Sequence, residues 1–457
     1  MLAVVSDLHL TDCTTATNPH ASAFELLTGE LTINAKSKRA SEIQVLLLGD
    51  IVDLVRTSYW HEKAIPADRR PWGGKLDPAT AMNPDPDVER QFLEVLERVL
   101  AQASTRALLD GLKELRDRDG RPPKIAYVVG NHDRVLHNFP SLRERIAREL
   151  APLEVEFSTF FHSEVYNVAA RHGHEWEVTC HGWEFLRKVL DRKSRVGRFD
   201  PEAYRVMAIG EAITAELMSG FVHHLQTTLT DPADAPFLRM AGEVNNLRPQ
   251  TDVIRWITWR LAKAESGRYL QAATEAFRTA LEATLGCTLA KRWDELKRDF
   301  VVSGDITDHL SKALGLLKGK NGLKRLETLI PILEKAETAL AAIRGPREDA
   351  LRLGAAEEFE KGTVLPGTQY LLYGHSHSAR HDCLRARRDG TADIYLNTGT
   401  FLPLIERAAD RASFSGSNRM SYLCFYNSEE DVNDRVGNGP TVEVWDGIKR
   451  KEYAENR

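Results

Sequence analysis

The sequence predicts a layered α/β fold with a large helical insertion. Short, nearly continuous apolar runs occur at residues 2–6, 43–48 and 125–129, and such runs are typical of strands that are buried on both faces. Stretches with an apolar residue at every third or fourth position separate these runs and indicate helices. Between residues 186 and 364 this helical pattern continues without a convincing strand, and apolar runs return after residue 365.

The predicted elements follow one another in order. The first half of the chain gives, in turn, a strand at 2–6, a helix at 24–31, a strand at 43–48, a long Pro- and Gly-rich loop at 60–87, helices at 92–100 and 108–115, a strand at 125–129, a helix at 141–150 that begins with a capping box, and a hairpin of strands at 165–170 and 176–180. The second half gives helices at 202–217, 252–264, 271–285 and 323–343, then strands at 370–373, 394–399, 422–426 and 441–445.

The bulk composition narrows the function classes. The chain has 457 residues, of which 42% are hydrophobic and 28% charged, so it can bury a sizeable core in two or three domains or in one large domain with insertions. Its net charge of −5 argues against a globally basic nucleic-acid binder, although a local basic groove is compatible with it.

Cysteine usage and hydropathy suggest the compartment. The five cysteines are scattered and contain no C-x-x-C pair, which argues against a disulfide framework or a thiolate zinc site. No secretory signal precedes the first apolar run, and no window reaches the roughly 18 uncharged apolar residues that a membrane span needs. We therefore expect a cytoplasmic protein with no membrane partner.

Polar clusters follow the predicted strands at the points where the strands end. Asp7 and His9 follow the first strand, and residues i and i+2 of a strand point to the same side. Ligands that gather beyond the carboxyl ends of strands are typical of sites in open α/β sheets. The complete set of candidate metal ligands is Asp7, His9, Asp50, Asn131, His181, His375 and His377.

This candidate set contains nitrogen and oxygen ligands and no thiolate. Such a set suits manganese, iron, zinc or cobalt. Seven ligands are too many for one catalytic metal with an open position, and a carboxylate such as Asp50 can bridge two ions that lie roughly 3.5–4 Å apart. We therefore expect two divalent metal ions, with manganese preferred.

One ligand has two candidates, because the H-G pattern occurs at His172-Gly173 and again at His181-Gly182. The run 176–180 reads as a strand that ends at His181, and Gly173 fits the turn before it. We therefore favour His181, with His172 as the alternative.

The ordered blocks D-x-H, G-D-x-x-D, G-N-H-D, H-G and G-H-x-H resemble the calcineurin-like metallophosphoesterase superfamily. The resemblance covers residues 1–185 and 365–450. It implies a fold of two packed mixed β-sheets flanked by helices, so that 1–185 plus 365–457 form the core. Residues 186–364 would then form a helical insertion, which is either a cap over the site or a distant dimerisation arm.

The resemblance also implies a role for each site residue. The first metal would be held by Asp7, His9 and His377, the second by Asn131, His181 and His375, and Asp50 would bridge the two. His132 would contact the substrate phosphate and protonate the leaving oxygen, and Asp133 would orient His132. Asp53 is predicted to be structural.

These expectations lead to a predicted activity. We expect a dinuclear metal-dependent phosphoesterase in which a metal-bridging hydroxide hydrolyses a phosphodiester and His132 acts as general acid. Arg56 and Arg134 closely follow motif blocks and are candidates for binding the substrate. A phosphomonoesterase, a nuclease whose basic segment 187–198 grips DNA or RNA, and a scaffold without chemistry are the alternatives.

Overall fold

The computed structural model describes residues 1–192, 195–248, 252–261, 267–296, 306–317, 347–388, 390–410, 413–432 and 439–451. The helix that the sequence predicts at 323–343 lies outside these residues.

The described residues form thirteen strands in two sheets. Their bounds are β1 Leu2–Val5, β2 Gln44–Leu48, β3 Lys124–Val128, β4 Val155–Ser158, β5 Phe161–Ser163, β6 Val168–Ala170, β7 Leu247–Arg248, β8 Tyr370–Tyr373, β9 Ala379–Ala386, β10 Ala392–Thr398, β11 Pro403–Arg407, β12 Phe414–Tyr426 and β13 Thr441–Lys451. The first sheet has the order β4-β3-β2-β1-β12-β11-β7, with β13 paired to β12, and the second has the order β5-β6-β8-β10-β9.

Both sheets are mixed. In the first sheet β1 to β4 run parallel to one another, while β12 is antiparallel to β1. In the second sheet β6, β8 and β10 are parallel, while β5 and β9 are antiparallel to their neighbours. The parallel strands of each sheet therefore end on one side, where the residues after them can meet.

The helices cover the outer faces of the two sheets. The described residues form α1 Ala21–Ser37, α2 Asp87–Leu100, α3 Ala103–Glu114, α4 Pro140–Leu150, α5 Trp183–Phe185, α6 Pro201–Arg205, α7 Ile209–Ala212, α8 Gly220–Thr228, α9 Ala235–Gly242, α10 Val253–Leu261, α11 Gly267–Gly286, α12 Thr288–Trp293, α13 Ile306–Leu317 and α14 Arg347–Lys361. Short π-helical segments, Leu186–Leu190 and Ile213–Ser219, continue α5 and α7.

Among the described residues, no helix combines the length and the apolar character that a membrane crossing requires.

The alternation of side chains along β1 shows how the layers stack. Leu2 and Val4 pack in a cluster between the two sheets, whereas Ala3 and Val5 pack in a cluster shared with α1 to α4. On the far face of the second sheet, Leu351 of α14 packs against β6, β8 and β10. The order is helices, sheet, sheet, helix, and the expected fold of two packed mixed sheets flanked by helices is confirmed.

Two local expectations are wrong. The run 176–180 is not a strand, because a single turn of 3-10 helix at His174–Trp176 and further turns follow the short strand β6. The helix α4 begins with Pro140, whose ring fixes φ at the first helical position, and not with a capping box. The hydroxyl of Ser141 instead donates a hydrogen bond to Glu89 of α2.

The insertion is attached to the first sheet. Its helices form their own apolar cluster, which includes Trp256 and Phe277 and continues into Ile405 and Phe414 of the core. The sequence predicts no strand in the insertion, but β7 pairs in parallel with β11. A strand of two residues is too short to give a hydrophobic period, which is why the sequence does not reveal it.

The insertion also covers the loop that follows His9. The side-chain amide of Asn245 donates to the backbone oxygen of Thr15 at 2.9 Å, and that of Gln226 donates to the oxygen of Thr14 at 2.9 Å. The insertion therefore lies against the segment that directly follows the first predicted ligands.

Candidate metal centre

Five of the parallel strands deliver polar residues to one place. Asp7 follows β1, Asp50 follows β2, Asn131 follows β3, His172 follows β6 and His375 follows β8. Hydrogen bonds tie these ends together: the backbone N–H of His375 donates to the Asp7 carboxylate at 2.9 Å, and that of His132 donates to Asp50 Oδ1 at 2.7 Å.

The backbone is strained at the same positions. Asp7, His9, Asp50, His375 and His377 all have a left-handed backbone, with φ between 42° and 66°. Such a conformation costs a residue with a side chain of the order of 1–3 kcal/mol, and it concentrates at functional sites. The fold therefore holds five predicted ligands in positions that regular strands and helices do not provide.

The first group of ligand atoms comes from Asp7, His9 and His377. The Nε2 atoms of His9 and His377 lie 3.1 Å apart, and Nε2 of His377 lies 3.3 Å from Oδ1 of Asp7. The other ring nitrogen of His9, Nδ1, lies 3.0 Å from the Asp53 carboxylate, which can only accept. The proton of a neutral His9 therefore resides on Nδ1, and the lone pair of Nε2 faces the group.

The second group comes from Asp50, His172 and His375. His172 donates from Nδ1 to the backbone oxygen of Leu48 at 2.9 Å, so the lone pair of a neutral ring resides on Nε2. This Nε2 lies 3.2 Å from Oδ2 of Asp50, and the same Oδ2 lies 3.6 Å from Nε2 of His9. A single carboxylate oxygen therefore faces both groups.

Asn131 adjoins the second group, because the backbone N–H of the next residue, His132, donates to Asp50. Oδ1 of Asn131 is buried and has no hydrogen-bond partner within the described part of the chain, and the same holds for Nε2 of His172. Buried polar atoms are normally satisfied, because leaving one unpaired costs roughly 1–3 kcal/mol. A cation that accepts lone pairs from oxygen and nitrogen would satisfy both atoms.

The electrostatics of the site favour positive charge. Burial raises the pKa of Asp7 to about 6, and the neighbouring Asp50 carboxylate acts in the same direction. Burial disfavours a charged His172, but the attraction of Asp50 and Asp7 outweighs it and raises the pKa of His172 to about 10. Two buried carboxylates thus stabilise a cation beside them.

The resemblance implied that Asp133 would orient His132, but in the structure these two side chains do not pair. Asp133 accepts hydrogen bonds from the backbone N–H of Ile51 and Gly130 and from the Tyr127 hydroxyl, so it fixes the turn after β3. The ring of His132 is instead held by Asp53, whose Oδ2 lies 2.9 Å from Nδ1.

Asp53, which was predicted to be structural, therefore contacts the rings of both His9 and His132, and sequence reasoning missed these contacts. Burial opposes its charge, but His132, Arg56 and the ring donors outweigh this and hold the pKa of Asp53 well below its usual range. The second carboxylate of the block Gly49-Asp50-Ile51-Val52-Asp53, three residues after Asp50, was the signal that could have revealed them.

The structure does not place His181 with the other candidate ligands, and His172 takes the position we had assigned to it. His181 hydrogen bonds through Nε2 to the backbone oxygen of Arg198 at 2.9 Å, and its ring packs on His174. His172 follows the end of β6, and Gly173 then turns the chain with φ at 103°. The preference for His181 is corrected because the supposed strand before it does not exist.

The two arginines proposed to bind substrate are each 2% exposed and occupied by carboxylates. Nε of Arg56 lies 3.3 Å from Asp53 Oδ2. Arg134 donates from Nε and Nη2 to the two oxygens of Glu211, at 2.6 and 3.0 Å. Neither guanidinium lines an entrance, so both assignments are corrected.

Glu177 is a second residue that the sequence did not reveal. Its Oε2 lies 3.0 Å from Nε2 of His375, and Cys180 lies in the same cluster. A carboxylate that accepts from Nε2 leaves the lone pair of a neutral His375 on Nδ1. No local pattern pointed to this contact, because Glu177 and His375 are separated by 198 residues.

Together these groups of buried histidine and aspartate side chains are able to hold a metal ion. A comparison of the sequence with protein-family models found no matching family, and a comparison with curated proteins found no similar protein.

Proposed function

We propose that this protein is a dinuclear metal-dependent phosphoesterase that hydrolyses phosphodiesters. The observation that carries the proposal is the position of Asp50. One oxygen of its buried carboxylate faces Nε2 of His9 on one side and Nε2 of His172 on the other. A shared carboxylate oxygen between two nitrogen-rich groups is the arrangement that bridges a pair of divalent cations.

The residues present fit such a pair. Asp7, His9, Asp50 and His377 would hold one cation, and Asp50, Asn131, His172 and His375 would hold the other. The donor atoms are imidazole nitrogens and carboxylate or amide oxygens, which suit manganese, iron, zinc or cobalt, and manganese is our preference. Two such cations would polarise the oxygens of a bound phosphate ester and activate water for attack on phosphorus.

His132 supplies the proton. Its Nδ1 lies 2.9 Å from an oxygen of the Asp53 carboxylate, which orients the ring, and its Nε2 is the nitrogen that remains for the substrate. The side chain is 12% exposed, whereas Asp53 is fully buried, so the ring stands at the edge of the site. A donor in this position protonates the alkoxide that leaves when a phosphodiester is cleaved.

The diester preference rests on this proton donor. A phosphomonoesterase can use the same groups, so both ester classes belong in the test. A nuclease stays the alternative, although one basic residue of the segment 187–198 is engaged within the protein. Its Arg198 lies between the rings of Trp176 and Trp183, at 4.4 and 4.5 Å, and donates to the backbone oxygen of Glu175.

The test combines metal analysis with a substrate screen. Purified protein is loaded with Mn²⁺, its bound metal is counted, and hydrolysis of bis-p-nitrophenyl phosphate, p-nitrophenyl phosphate and oligonucleotides is measured. The variants are Asp50→Asn and His132→Ala. The control is His381→Ala, which removes an exposed histidine.

We expect two bound Mn²⁺ and turnover of the diester in the wild type and in the control. Asp50→Asn should lose metal and turnover together. His132→Ala should keep its metal and lose turnover by roughly 10²–10⁴-fold, the usual contribution of a general acid. A wild-type protein that binds no Mn²⁺, or that binds two and cleaves none of the esters, would refute the proposal.

A further inference from the structure

The last described helix of the insertion reaches the second sheet through one buried carboxylate. Glu358 of α14 is 1% exposed, and its two oxygens accept hydrogen bonds from two different strand ends. Oε2 accepts from Nε of Arg171 at 3.1 Å, and Oε1 accepts from the hydroxyl of Tyr373 at 2.6 Å. Glu358 belongs to none of the polar blocks of the sequence, and it lies 187 positions from Arg171.

The two donors stand directly before the two histidines of the second group. Arg171 precedes His172 at the end of β6, and Tyr373 is the last residue of β8, two positions before His375. The strands β6 and β8 are parallel neighbours, so both histidines leave the sheet at the same edge. Glu358 therefore joins the ends of the two strands that present this pair of candidate ligands.

The two strand ends are also joined to each other. Where the paired strands end, the backbone N–H of Arg171 donates to the oxygen of Leu372 at 3.1 Å, and that of Gly374 donates to the oxygen of His172 at 2.9 Å. The rings of His172 and His375 lie beyond these bonds, with their centroids 5.3 Å apart. A carboxylate that binds both side chains at this point restrains the separation of the two rings.

The partners of Glu358 depend on it because they are buried. The guanidinium of Arg171 lies between the rings of Phe160 and Phe199, at 4.4 and 4.0 Å from the ring centroids. A buried guanidinium that loses its carboxylate is left as an uncompensated charge, which is strongly unfavourable. Arg171 must then move, and its movement displaces the backbone next to the candidate ligand that follows it.

We propose that Glu358 is a positioning residue that holds His172 and His375 at the separation that the second cation requires. The proposal rests on the proposed function, since it needs a second cation at this group. Residues that support a ligand without touching the metal change metal affinity by roughly 10–100-fold when they are lost. Because α14 belongs to the predicted insertion, the affinity for the second cation depends on the contact between this helix and the second sheet.

The test measures Mn²⁺ binding by isothermal titration calorimetry, the thermal unfolding midpoint, and the electron paramagnetic resonance spectrum, in which two coupled Mn²⁺ ions differ from a single ion. The variants are Glu358→Gln, which removes the charge, and Tyr373→Phe, which removes one of the two hydrogen bonds. The control is Asp234→Asn. Asp234 is a fully buried carboxylate of the insertion that likewise binds one arginine and one tyrosine, Arg268 and Tyr269.

We expect Glu358→Gln to bind the first Mn²⁺ as the wild type does and the second roughly 10-fold more weakly. At two equivalents of Mn²⁺ its spectrum should therefore keep a larger single-ion signal than the spectrum of the wild type. Tyr373→Phe should weaken binding of the same ion by a smaller factor. Asp234→Asn should lower the unfolding midpoint and leave both Mn²⁺ affinities and the spectrum unchanged.

A double variant identifies the affected ion. His172→Ala should retain only the first ion, so the addition of Glu358→Gln should not weaken binding of that ion further. Weaker binding of the first ion would overturn the proposal, and so would variants of Glu358 and Tyr373 that change only the unfolding midpoint. If Glu358→Gln does not fold, Tyr373→Phe decides alone, and an unchanged affinity for the second ion overturns the proposal.

The failure of this inference differs from the failure of the proposed function. A wild-type protein that does not bind a pair of Mn²⁺ ions would refute the proposed function, and the role of Glu358 would fall with it. A wild-type protein that binds two Mn²⁺, with the same two affinities in Glu358→Gln, would overturn only the role of Glu358.

Discussion

The assignment of His172, and not His181, to the metal centre gives the sharpest test of the structure. Both residues are buried histidines in the same segment, at 0% and 3% exposure, so His172→Ala and His181→Ala are matched substitutions. They differ in what the ring contacts. His172 faces the Asp50 carboxylate through Nε2, whereas His181 faces the backbone oxygen of Arg198.

The expected effects follow from these contacts. His172 is one of four candidate ligands of the second cation, together with Asp50, Asn131 and His375. Loss of a residue that only supports a ligand weakens metal binding by roughly 10–100-fold, so loss of a ligand should weaken it by at least about 100-fold, or about 2.7 kcal/mol. His181→Ala should leave metal affinity unchanged and lower the free energy of unfolding by about 1–3 kcal/mol, because the Arg198 oxygen loses its donor.

The assay is the stoichiometry and affinity of Mn²⁺ binding, measured by calorimetry, with chemical denaturation as the measure of folding. His172→Ala should bind one Mn²⁺ at concentrations where the wild type and His181→Ala bind two. The reasoning is refuted if His181→Ala loses one ion and His172→Ala keeps both, because the turn after β6 would then not form the site.

Three further predictions concern the residues around the ligands. Asp53→Asn should weaken Mn²⁺ binding by roughly 10–100-fold in calorimetry, because an amide has no negative charge and, if its oxygen faces the two rings, its NH₂ meets the backbone N–H groups of Val55 and Arg56 that now donate to Asp53 Oδ1; an unchanged affinity would count against this contact. Glu177→Gln should weaken Mn²⁺ binding by roughly 10-fold, because the carboxylate that orients His375 is lost. An unchanged Mn²⁺ affinity would contradict this prediction. Burial lowers the pKa of His61 from 6.5 to about 4. The stability that the neutral, buried His61 ring contributes is therefore present above pH 6.5 and is lost as the pH falls to about 4. Between pH 6.5 and about 4, the free energy of unfolding of His61→Gln should therefore fall by about 3 kcal/mol less than that of the wild type. The exposed control variant His381→Gln should behave like the wild type in the same acid-denaturation measurement.

The sequence predicted the fold and most of the candidate site because both are encoded locally. The apolar runs of β1, β2, β3 and β8 are buried on both faces, which gives a continuous pattern, and each ends at a polar block next to it in sequence. The positions of the residues after these strands then follow from sheet topology, since parallel strands end at one edge.

What the sequence did not predict depends on contacts between distant residues. The strand predicted at 165–170 does end at Ala170, as β6 does, but the alternating run 176–180 looked like a further strand and moved the predicted ligand to His181. The pairing of Arg134 with Glu211 joins residues 77 positions apart, and β7 exists only because β11 lies beside it. Each of these depends on tertiary packing, which a local pattern does not contain.

The two motifs D-x-H and G-D-x-x-D form a single structural unit. After β2 ends, the chain turns through Asp50 and returns beside Leu10, whose N–H donates to the oxygen of Ile51 at 2.9 Å and whose oxygen accepts from the N–H of Asp53 at 2.8 Å. This short parallel contact places the Asp53 carboxylate beneath His9.

The spacing of the second block follows from this geometry. Two residues must separate Asp50 from Asp53, so that the Asp50 carboxylate faces the ligand groups while the Asp53 carboxylate reaches the Nδ1 atoms of His9 and His132. Oδ2 of Asp53 lies 3.0 Å from Nδ1 of His9 and 2.9 Å from Nδ1 of His132. One oxygen thus orients the rings of His9 and His132 together, so metal binding and proton transfer in the proposed reaction depend on the same turn of the chain.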